Sequence, residues 1–244
     1  ENGTVDFMVT SANGAHFYSG DGDGTFTSGT TSSGAVIDKL QTGDFNGDGI
    51  VDLLGTSGTN VVLSTGNGDG SFNTAQTVVA SGVTISSLKA GDFNGDGTDD
   101  IAFSNSANSS VLVYTGSTSG AFTSTSTLTA AAVSAKLQIG DINHDGLDDL
   151  ALSSSNTIYT STASSDGTLS SLASTGITGA ATFKLADMNS DGALDILALN
   201  VTSLSYYTGN NDGSFNGSSG TSSTVNAQVL MPGDYNGDGA MDVI

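Results

Sequence analysis

The sequence contains no cysteine, which excludes a disulfide framework, thiol catalysis and zinc sites with cysteine ligands. It also lacks arginine and tryptophan, and its four lysines face 25 acidic residues, so the formal net charge is −21. Because no basic patch is available to bind phosphate groups, nucleic acid and anionic membranes are disfavoured as partners. No apolar run approaches the ~20 residues that a spanning helix needs, so no membrane insertion is expected.

The remaining composition is dominated by small and polar residues, with 34 glycines and a single proline in 244 residues. This length fits one large domain or two small ones. Apolar residues make up 36% of the chain, which is sufficient for the core of a β-rich fold. Charged residues make up only 12%, whereas ordinary disorder requires high charge and little periodic apolar sequence.

The acidic residues are concentrated in a motif, Asp-x-Asn-x-Asp-Gly-x-x-Asp, that occurs five times. The first copy runs from Asp44 to Asp52. Oxygen ligands at positions 1, 3 and 5 of such a loop point inward, and the glycine at position 6 permits a sharp bend. The backbone carbonyl at position 7 can add another oxygen, and the aspartate at position 9 closes the set. Fifteen of the 25 acidic residues belong to these five loops.

We predict that each loop binds one calcium ion, about five in all. Three crowded carboxylates repel one another unless a cation neutralises them, and a ligand set of oxygens alone favours calcium over zinc or copper. The alternative is a turn rich in Asn, Asp and Gly that binds nothing, which five copies with the same ligand positions disfavour. The predicted ligands are Asp44, Asn46, Asp48, Ile50, Asp52, Asp92, Asn94, Asp96, Thr98, Asp100, Asp141, Asn143, Asp145, Leu147, Asp149, Asp187, Asn189, Asp191, Ala193, Asp195, Asp234, Asn236, Asp238, Ala240 and Asp242.

The first aspartates of successive loops are 46 to 49 residues apart, a period in the range of propeller blades with four strands each. Short runs of β-branched and aromatic residues fill each period, and no helical periodicity occurs. We therefore predict an all-β fold, a β-propeller of four-stranded antiparallel blades with about five repeats of ~47 residues. We expect one propeller domain over residues 1–244, with approximate units 1–42, 43–90, 91–139, 140–185, 186–232 and a partial unit 233–244.

All four lysines lie three or five residues before the first aspartate of a loop: Lys39, Lys89, Lys136 and Lys184. Offsets of three and five share one face of a strand. One interpretation is an ammonium group held near the loop carboxylates. The other is an exposed position at a sheet edge, where a charge prevents pairing between sheets. The sequence leaves both interpretations open.

The two histidines give no indication of catalysis. His144 occupies position 4 of a loop, where the side chain points outward, and His16 lies in a predicted strand. Neither has a serine or cysteine partner at a meaningful spacing. No nucleophile motif, zinc motif or isolated carboxylate pair occurs either. We therefore expect no catalytic residues and no enzymatic activity.

The loop that starts at Asp44, with the apolar run after Asp52 and the Gly66-Asn67-Gly68-Asp69-Gly70 turn, resembles the FG-GAP/VCBS repeat. The resemblance covers essentially the whole chain. It implies an integrin-α-like β-propeller with calcium in a loop between neighbouring strands, and the matching Asp and Asn side chains as ligands. EF-hands and dockerins are disfavoured because position 12 lacks glutamate and a β-type run follows each loop.

The number of blades stays open at this point. Propellers of the resembled family usually have seven blades, whereas this chain has five periods. The first unit begins within a loop, and Asp6 is equivalent to Asp242. In a closed five-bladed ring, the strands at 7–9 and 243–244 would compete for one place. The chain is therefore interpreted as part of a longer array or as a five-bladed ring with one redundant end.

The function expected from these features is an extracellular adhesion or recognition module, secreted or at the cell surface, in which calcium is structural. Its ligand would be an extracellular protein or a glycan. One alternative is a lectin, which the absence of tryptophan weakens because sugars commonly stack on aromatic rings. The others are a repetitive surface or filament protein that self-associates and an accessory domain of a secreted polysaccharide-active enzyme.

Overall fold

The computed structural model describes residues 4–11, 14–32, 37–129, 133–200, 203–217, 220–223 and 230–244. These ranges contain strands and turns, and no helix within them is long and apolar enough to cross a membrane. The strands are, in chain order, β1 Phe7–Ser11, β2 Gly14–Gly20, β3 Phe26–Ser32, β4 Asp38–Gly43, β5 Asp52–Ser57, β6 Asn60–Ser64, β7 Gln76–Ala80, β8 Ile85–Gly91, β9 Asp100–Asn105, β10 Ser110–Thr115, β11 Thr123–Thr129, β12 Val133–Gly140, β13 Asp149–Ser154, β14 Thr157–Ser161, β15 Ala173–Thr178, β16 Thr182–Ala186, β17 Asp195–Leu199, β18 Ser203–Tyr207, β19 Gly220–Ser223, β20 Pro232–Gly233 and β21 Asp242–Val243.

Four of the sheets are four-stranded antiparallel meanders, in which each strand pairs with the next one along the chain. They comprise β4–β7, β8–β11, β12–β15 and β16–β19. A three-stranded sheet, β1–β3, precedes them, and a two-stranded sheet, β20–β21, follows them. Within the described ranges, no hydrogen-bonded ladder joins β1 to β20 or β21.

The second strand of each complete sheet is buried along its whole length or nearly so. Every residue of β9 and β13 is buried, although each of these strands begins with an aspartate. The apolar run in each strand, Ile101–Phe103 and Leu150–Leu152, shows no alternation with polar residues, because both faces of the strand are covered by neighbouring sheets. The fourth strand β11 is rich in Ser and Thr, and most of its residues are exposed or partly exposed to solvent.

The hydrophobic core is divided into layers between successive sheets. Phe45, Leu88 and Phe103 belong to the layer between β4–β7 and β8–β11. Phe93 and Leu137 belong to the next layer, and two further clusters fill the interfaces of β16–β19 with the sheets on either side. The first strands β4, β8, β12 and β16 contact one another in succession, so they form the inner edge of a radial array.

The sheets and the sequence repeats start at different points of the chain. The repeat unit begins at the aspartate loop, whereas the sheet begins one strand earlier. For example, β4 ends at Gly43 and pairs with β5, which follows the loop at Asp52. Each loop therefore connects the innermost strand of a sheet to the second strand of the same sheet.

Candidate metal loops and the grooves between sheets

The first loop is held by hydrogen bonds from its own backbone to the carboxylate at position 1. Oδ1 of Asp44 accepts from the N–H groups of Gly47 at 2.7 Å and Asp48 at 3.1 Å. Oδ2 of Asp44 accepts from the N–H group of Gly49 at 2.8 Å. These bonds lower the pKa of Asp44 against the opposing effect of burial. Every loop repeats the bond between position 1 and position 6.

The side chains at positions 3 and 5 close two further turns within each loop. Oδ1 of Asn46 accepts from the N–H group of Asp48 at 3.0 Å, and Oδ1 of Asp48 accepts from the N–H group of Ile50 at 2.8 Å. Such bonds allow Asn and Asp side chains to direct a turn. In the first four loops, the amide nitrogen at position 3 also donates to the carboxylate at position 5.

The glycines at position 6 adopt the left-handed backbone expected of them, with φ of 79° at Gly49 and 88° at Gly146. Position 4 is left-handed as well. In two loops position 4 is occupied by a residue other than glycine, His144 at φ 61° and Ser190 at φ 60°. The His144 side chain is exposed, as predicted.

The carboxylate at position 9 accepts hydrogen bonds from two separate segments of the same sheet. In Asp100, which is fully buried, Oδ2 accepts from the N–H group of Phe93 at 2.9 Å and Oδ1 accepts from the N–H group of Gly116 at 2.7 Å. Phe93 is at position 2 of the loop, and Gly116 opens the hairpin turn after β10. Asp52, Asp149 and Asp195 are likewise fully buried and make the corresponding bonds. In the incomplete first unit, Asp6 accepts from the N–H group of Gly20 at 2.8 Å.

This structural role of position 9 did not follow from the motif, which indicated only a metal ligand. A signal for it exists in the sequence, because a small residue begins the hairpin turn 14 residues after Asp52, Asp149 and Asp195 and 16 residues after Asp100. That spacing brings one backbone N–H group to each buried carboxylate.

The buried carboxylates have unfavourable electrostatic surroundings. Burial, together with the smaller effect of the Asp96 and Asp92 charges, raises the pKa of Asp100 to about 7, although the two backbone hydrogen bonds lower it. Burial likewise raises the pKa of Asp149 to about 6 and raises that of Asp52. Among the described residues there is one ion pair, between Lys39 and Asp38 at 3.0 Å, so no lysine compensates these charges.

The donor chemistry of the loops fits calcium, since each combines three carboxylates, one amide oxygen and one carbonyl oxygen. The carboxylates are turned toward backbone N–H groups, however. Across the ranges that the structure covers, no group of three or more Asp, Glu, His or Cys side chains forms a preformed metal cage. Each oxygen that accepts one hydrogen bond retains a second lone pair, which leaves it available to a cation.

Neighbouring loops are joined through position 8 where that residue is aspartate. Oδ2 of Asp148 accepts from the N–H group of Asp92 at 3.0 Å, and the Asp148 N–H group donates to the Asp92 carbonyl at 2.9 Å. The Asp99 N–H group donates to the Asp44 carbonyl at 3.4 Å. Burial raises the pKa of Asp148, and the charges of Asp92 and Asp141 add to this effect. The first three loops therefore form a connected row across successive sheets.

The aspartates of the hairpin turns serve a different purpose. Oδ1 of Asp69 accepts from the N–H group of Ser71 at 2.9 Å and from its hydroxyl at 2.5 Å. Asp166 and Asp212 make equivalent bonds with Thr168 and Ser214. These turns are thus closed by Asp and a following Ser or Thr.

His16 corrects one expectation. We expected no serine partner for it, but its Nε2 lies 2.9 Å from Oγ of Ser11 across the β1–β2 hairpin. The Ser11 hydroxyl also lies 3.3 Å from the carbonyl of Gly14. The two residues are brought together by local hairpin register, in which Val9 is opposite His16 and Ser11 is opposite Gly14. The contact between Ser11 and His16 therefore holds β1 and β2 together near the end of their hairpin.

A polar groove of about 450 Å³ opens between the sheets β4–β7 and β8–β11, beside the first aspartate loop. Asn46 and Asp48 of the loop form one end. Asn73 and Gln76 line it from the chain that leads into β7. Thr118 closes the other side from the hairpin turn of the next sheet. The groove thus offers amide, hydroxyl and carboxylate groups together.

A second groove, of about 810 Å³, lies between β1–β3 and β4–β7. Its lining is more apolar and includes Phe7, Phe17, Ile50 and Phe72. Phe7 stacks on Tyr18 with ring centroids 4.7 Å apart. This groove adjoins β1, whose free edge leaves Phe7 and Val9 partly exposed.

A family profile for FG-GAP-like repeats matches the chain five times, at residues 1–54, 44–103, 92–152, 141–198 and 187–244. These matches span the chain from end to end, and each of the five aspartate loops lies within at least one of them. A comparison with curated protein sequences finds no significant match.

Several solved structures are similar to this chain. An Agrocybe aegerita lectin that specifically recognises non-reducing terminal N-acetylglucosamine is 19% identical, with a TM-score of 0.71 over 93% of this chain. This chain spans 64% of the length of that lectin. A Lactobacillus plantarum protein is 17% identical, with a TM-score of 0.59 over 88% of this chain and 67% of that protein. The Photorhabdus luminescens Tc holotoxin pore is 17% identical, with a TM-score of 0.54 over 97% of this chain and 12% of the toxin chain.

At these identities the structural likeness shows the fold alone. Together with the repeat matches and the stacked four-stranded sheets, it confirms the predicted all-β propeller of about five repeats.

Proposed function

Since the chain belongs to the FG-GAP-like repeat family, we propose that it is an extracellular recognition module, not an enzyme, whose aspartate loops bind structural calcium and whose ligand is a glycan. The repeats and the lectin with the same fold support a binding module in general. Calcium, the extracellular location and the glycan are the specific parts of the proposal, and each rests on a separate argument.

The argument for calcium rests on buried charge without compensation. Asp52, Asp100, Asp149 and Asp195 are fully buried, and the charges of two further carboxylates of the same loop act on Asp52 and on Asp100. The hydrogen bonds that Asp52, Asp100 and Asp149 accept from the described residues come from backbone N–H groups, which carry no full positive charge. A divalent cation would supply the missing positive charge. In the second loop it would be held by Asp92, Asn94, Asp96, Asp100 and the carbonyl of Thr98.

The argument for an extracellular location rests on the exposed, glycine-rich character of the aspartate loops. The loops are short and glycine-rich, and much of each is exposed to solvent. Calcium sites of extracellular modules commonly bind in the millimolar to submillimolar range, and cytosolic calcium would leave such sites empty. Because the proposed ion holds the fold together, the protein would have to work where calcium is abundant. Secretion or display at the cell surface meets that requirement.

The argument for a glycan rests on the polar groove between β4–β7 and β8–β11. Its amide and hydroxyl groups can donate and accept hydrogen bonds, as sugar hydroxyls require, and it carries no basic residue that would select a phosphate. The N-acetylglucosamine-binding lectin has the same fold, which makes terminal N-acetylglucosamine a reasonable first ligand to test. The groove lacks tryptophan, so hydrogen bonds would contribute most of the affinity.

The test is a glycan array on the calcium-loaded protein, followed by titration of the best ligand against variants. Asn73→Ala removes a groove amide and is expected to weaken binding at least tenfold. Asn216→Ala is the matched control, because Asn216 bonds to Thr208 as Asn73 bonds to Thr65 but does not line this groove. Ser119→Trp should block the groove outright. An array without any bound glycan, or equal losses for the two asparagine variants, would refute recognition at this groove.

A further inference from the structure

Neighbouring aspartate loops meet at position 8, which lies between the carbonyl at position 7 and the carboxylate at position 9. That residue is Asp99 in the second loop and Asp148 in the third, whereas the fourth loop has Leu194. Each of these side chains lies against the glycine that precedes the loop of the previous sheet. The boundaries between loops therefore differ in chemistry although the loops share one motif.

A glycine makes room for the side chain at position 8. A Cβ atom on Gly91, which precedes the second loop, would lie 2.5 Å from Oδ2 of Asp148. A Cβ atom on Gly140, which precedes the third loop, would lie 2.6 Å from Cδ1 of Leu194. Equivalent spaces are thus filled by a carboxylate at one boundary and by an apolar side chain at the next.

The boundary at Asp148 is closed by two hydrogen bonds with a single residue of the second loop. Oδ2 of Asp148 accepts from the N–H group of Asp92 at 3.0 Å, and the Asp148 N–H group donates to the Asp92 carbonyl at 2.9 Å. Asp92 is position 1 of the second loop. Asp148 is flanked by Leu147 and Asp149, which are the candidate ligands at positions 7 and 9 of the third loop. Fixing the backbone of Asp92 therefore also restrains two ligand positions of the next loop.

The boundary between the first and second loops is a looser version of this arrangement. The Asp99 N–H group donates to the Asp44 carbonyl at 3.4 Å, whereas such bonds are usually about 2.7–3.2 Å long. Oδ2 of Asp99 packs directly on Gly43. At the boundary between the third and fourth loops, Leu194 has no polar side-chain atom and can contribute only packing. The connection is therefore strongest at Asp148, weaker at Asp99 and apolar at Leu194.

We propose that Asp148, and to a smaller extent Asp99, are positioning residues that make calcium binding cooperative among the first three loops, while the last two loops bind calcium independently. This inference rests on the structural calcium proposed above and specifies how its binding is regulated. With an ion bound in the second loop, Asp92 would be held in place and would order Asp148 and its neighbours. A site that is already ordered loses less conformational entropy when its ion binds, which produces positive cooperativity.

The charge of Asp148 acts in the same direction. This partly buried carboxylate lies at the boundary of two loops that would each hold a divalent cation. Its negative charge attracts both cations and offsets the repulsion between them, and partial burial reduces the screening by salt. Because coupling between binding sites is reciprocal, an ion in the third loop should strengthen binding in the second by the same factor.

The test is a calcium titration of the full chain, followed by calorimetry and by native mass spectrometry, which counts the bound ions. Asp96→Ala disables the second loop, and Asp191→Ala disables the fourth by removing the equivalent exposed carboxylate. We expect Asp191→Ala to remove one ion and to leave the affinity of the other four unchanged. Asp96→Ala should remove one ion and also weaken two others by at least about fivefold, the lower end of the usual coupling between sites.

Variants at position 8 test whether Asp148 transmits the effect. Asp148→Leu copies the residue of the next boundary, so adding Asp96→Ala to it should no longer weaken the third loop. Asp148→Asn keeps an oxygen that can accept from the Asp92 N–H group and should retain part of the coupling, which separates this effect from a folding defect. Leu194→Ala is the control at the apolar boundary and should leave every calcium affinity unchanged.

Hydrogen exchange provides a measurement that does not depend on affinities. In Asp145→Ala the third loop cannot bind its ion, yet calcium should still slow exchange of the Asp148 N–H group, because the second loop holds it. Five bound ions with equal effects of Asp96→Ala and Asp191→Ala on the remaining sites would overturn the cooperativity and leave structural calcium intact. A chain that binds no calcium would overturn both proposals.

Discussion

The aspartates at position 9 have two roles, since they accept hydrogen bonds within the sheet and are proposed to bind calcium. Asp100 is buried, and its two oxygens accept from the N–H groups of Phe93 and Gly116. Asp96, at position 5 of the same loop, is exposed and accepts only local hydrogen bonds, from the N–H group of Thr98 at 2.8 Å and from the amide of Asn94 at 3.0 Å. The same motif therefore contains carboxylates whose removal should have different consequences.

Asp96→Ala and Asp100→Ala are predicted to differ in a chelator. Asp96→Ala should lower the melting temperature when calcium is present and leave it nearly unchanged in chelator, because water can replace its exposed hydrogen bond. Asp100→Ala should lower it in both conditions, since each buried N–H group left without an acceptor costs about 1–3 kcal/mol. Thermal unfolding of both variants with calcium and with chelator measures this. Equal shifts for Asp96→Ala in the two conditions would refute a metal role for Asp96.

At the scale of the elements, the layers between sheets carry most of the packing. The residue at position 2 of a loop enters the layer toward the next sheet, as Phe45 and Phe93 do, and both are fully buried. In the last loop the same position is Tyr235, which is 50% exposed. The motif position is constant, but its burial depends on the presence of a following sheet.

Phe93→Ala is predicted to destabilise the protein by about 3–5 kcal/mol, the usual cost of truncating a buried phenylalanine. Tyr235→Ala, at the equivalent position of the last loop, should cost less than about 1 kcal/mol because the ring is largely exposed. Urea unfolding at constant calcium concentration measures both. A similar loss for the two variants would contradict the assignment of stability to the layers between sheets.

Much of this architecture could be predicted because the motif fixes it locally. The position-6 glycines and the turn-forming Asp and Asn side chains all act within nine residues, so a single copy of the motif contains the necessary information. The number of strands per repeat was predictable from the spacing of 46 to 49 residues between successive loops. The start of the third strand could not be predicted. The aromatic residue after the glycine-rich turn, Phe72, forms only an isolated bridge with Gly66, and β7 begins at Gln76.

What could not be predicted depends on contacts that reach beyond the nine residues of the motif. The buried bond from Asp100 to Gly116 depends on where the hairpin turn lies relative to the loop. The pairing of Ser11 with His16 depends on the register of one hairpin.

For the whole molecule, charge is the dominant property. The formal net charge is −21, and five divalent ions would reduce it to −11. Fifteen of the 25 acidic residues lie in the five loops, and the first three loops are linked across successive sheets, so repulsion acts between sheets as well as within loops. Metal binding is thus expected to stabilise the array as a unit, with binding free energy contributing to folding free energy.

Thermal unfolding with and without a chelator, together with calcium content by mass spectrometry, tests the central claim most directly. We predict about five calcium ions per chain, one for each complete loop, and a large fall in melting temperature when they are removed. A protein that contains no calcium and melts at the same temperature in chelator would contradict this account, and would mean that the aspartate loops are turns closed by their own hydrogen bonds.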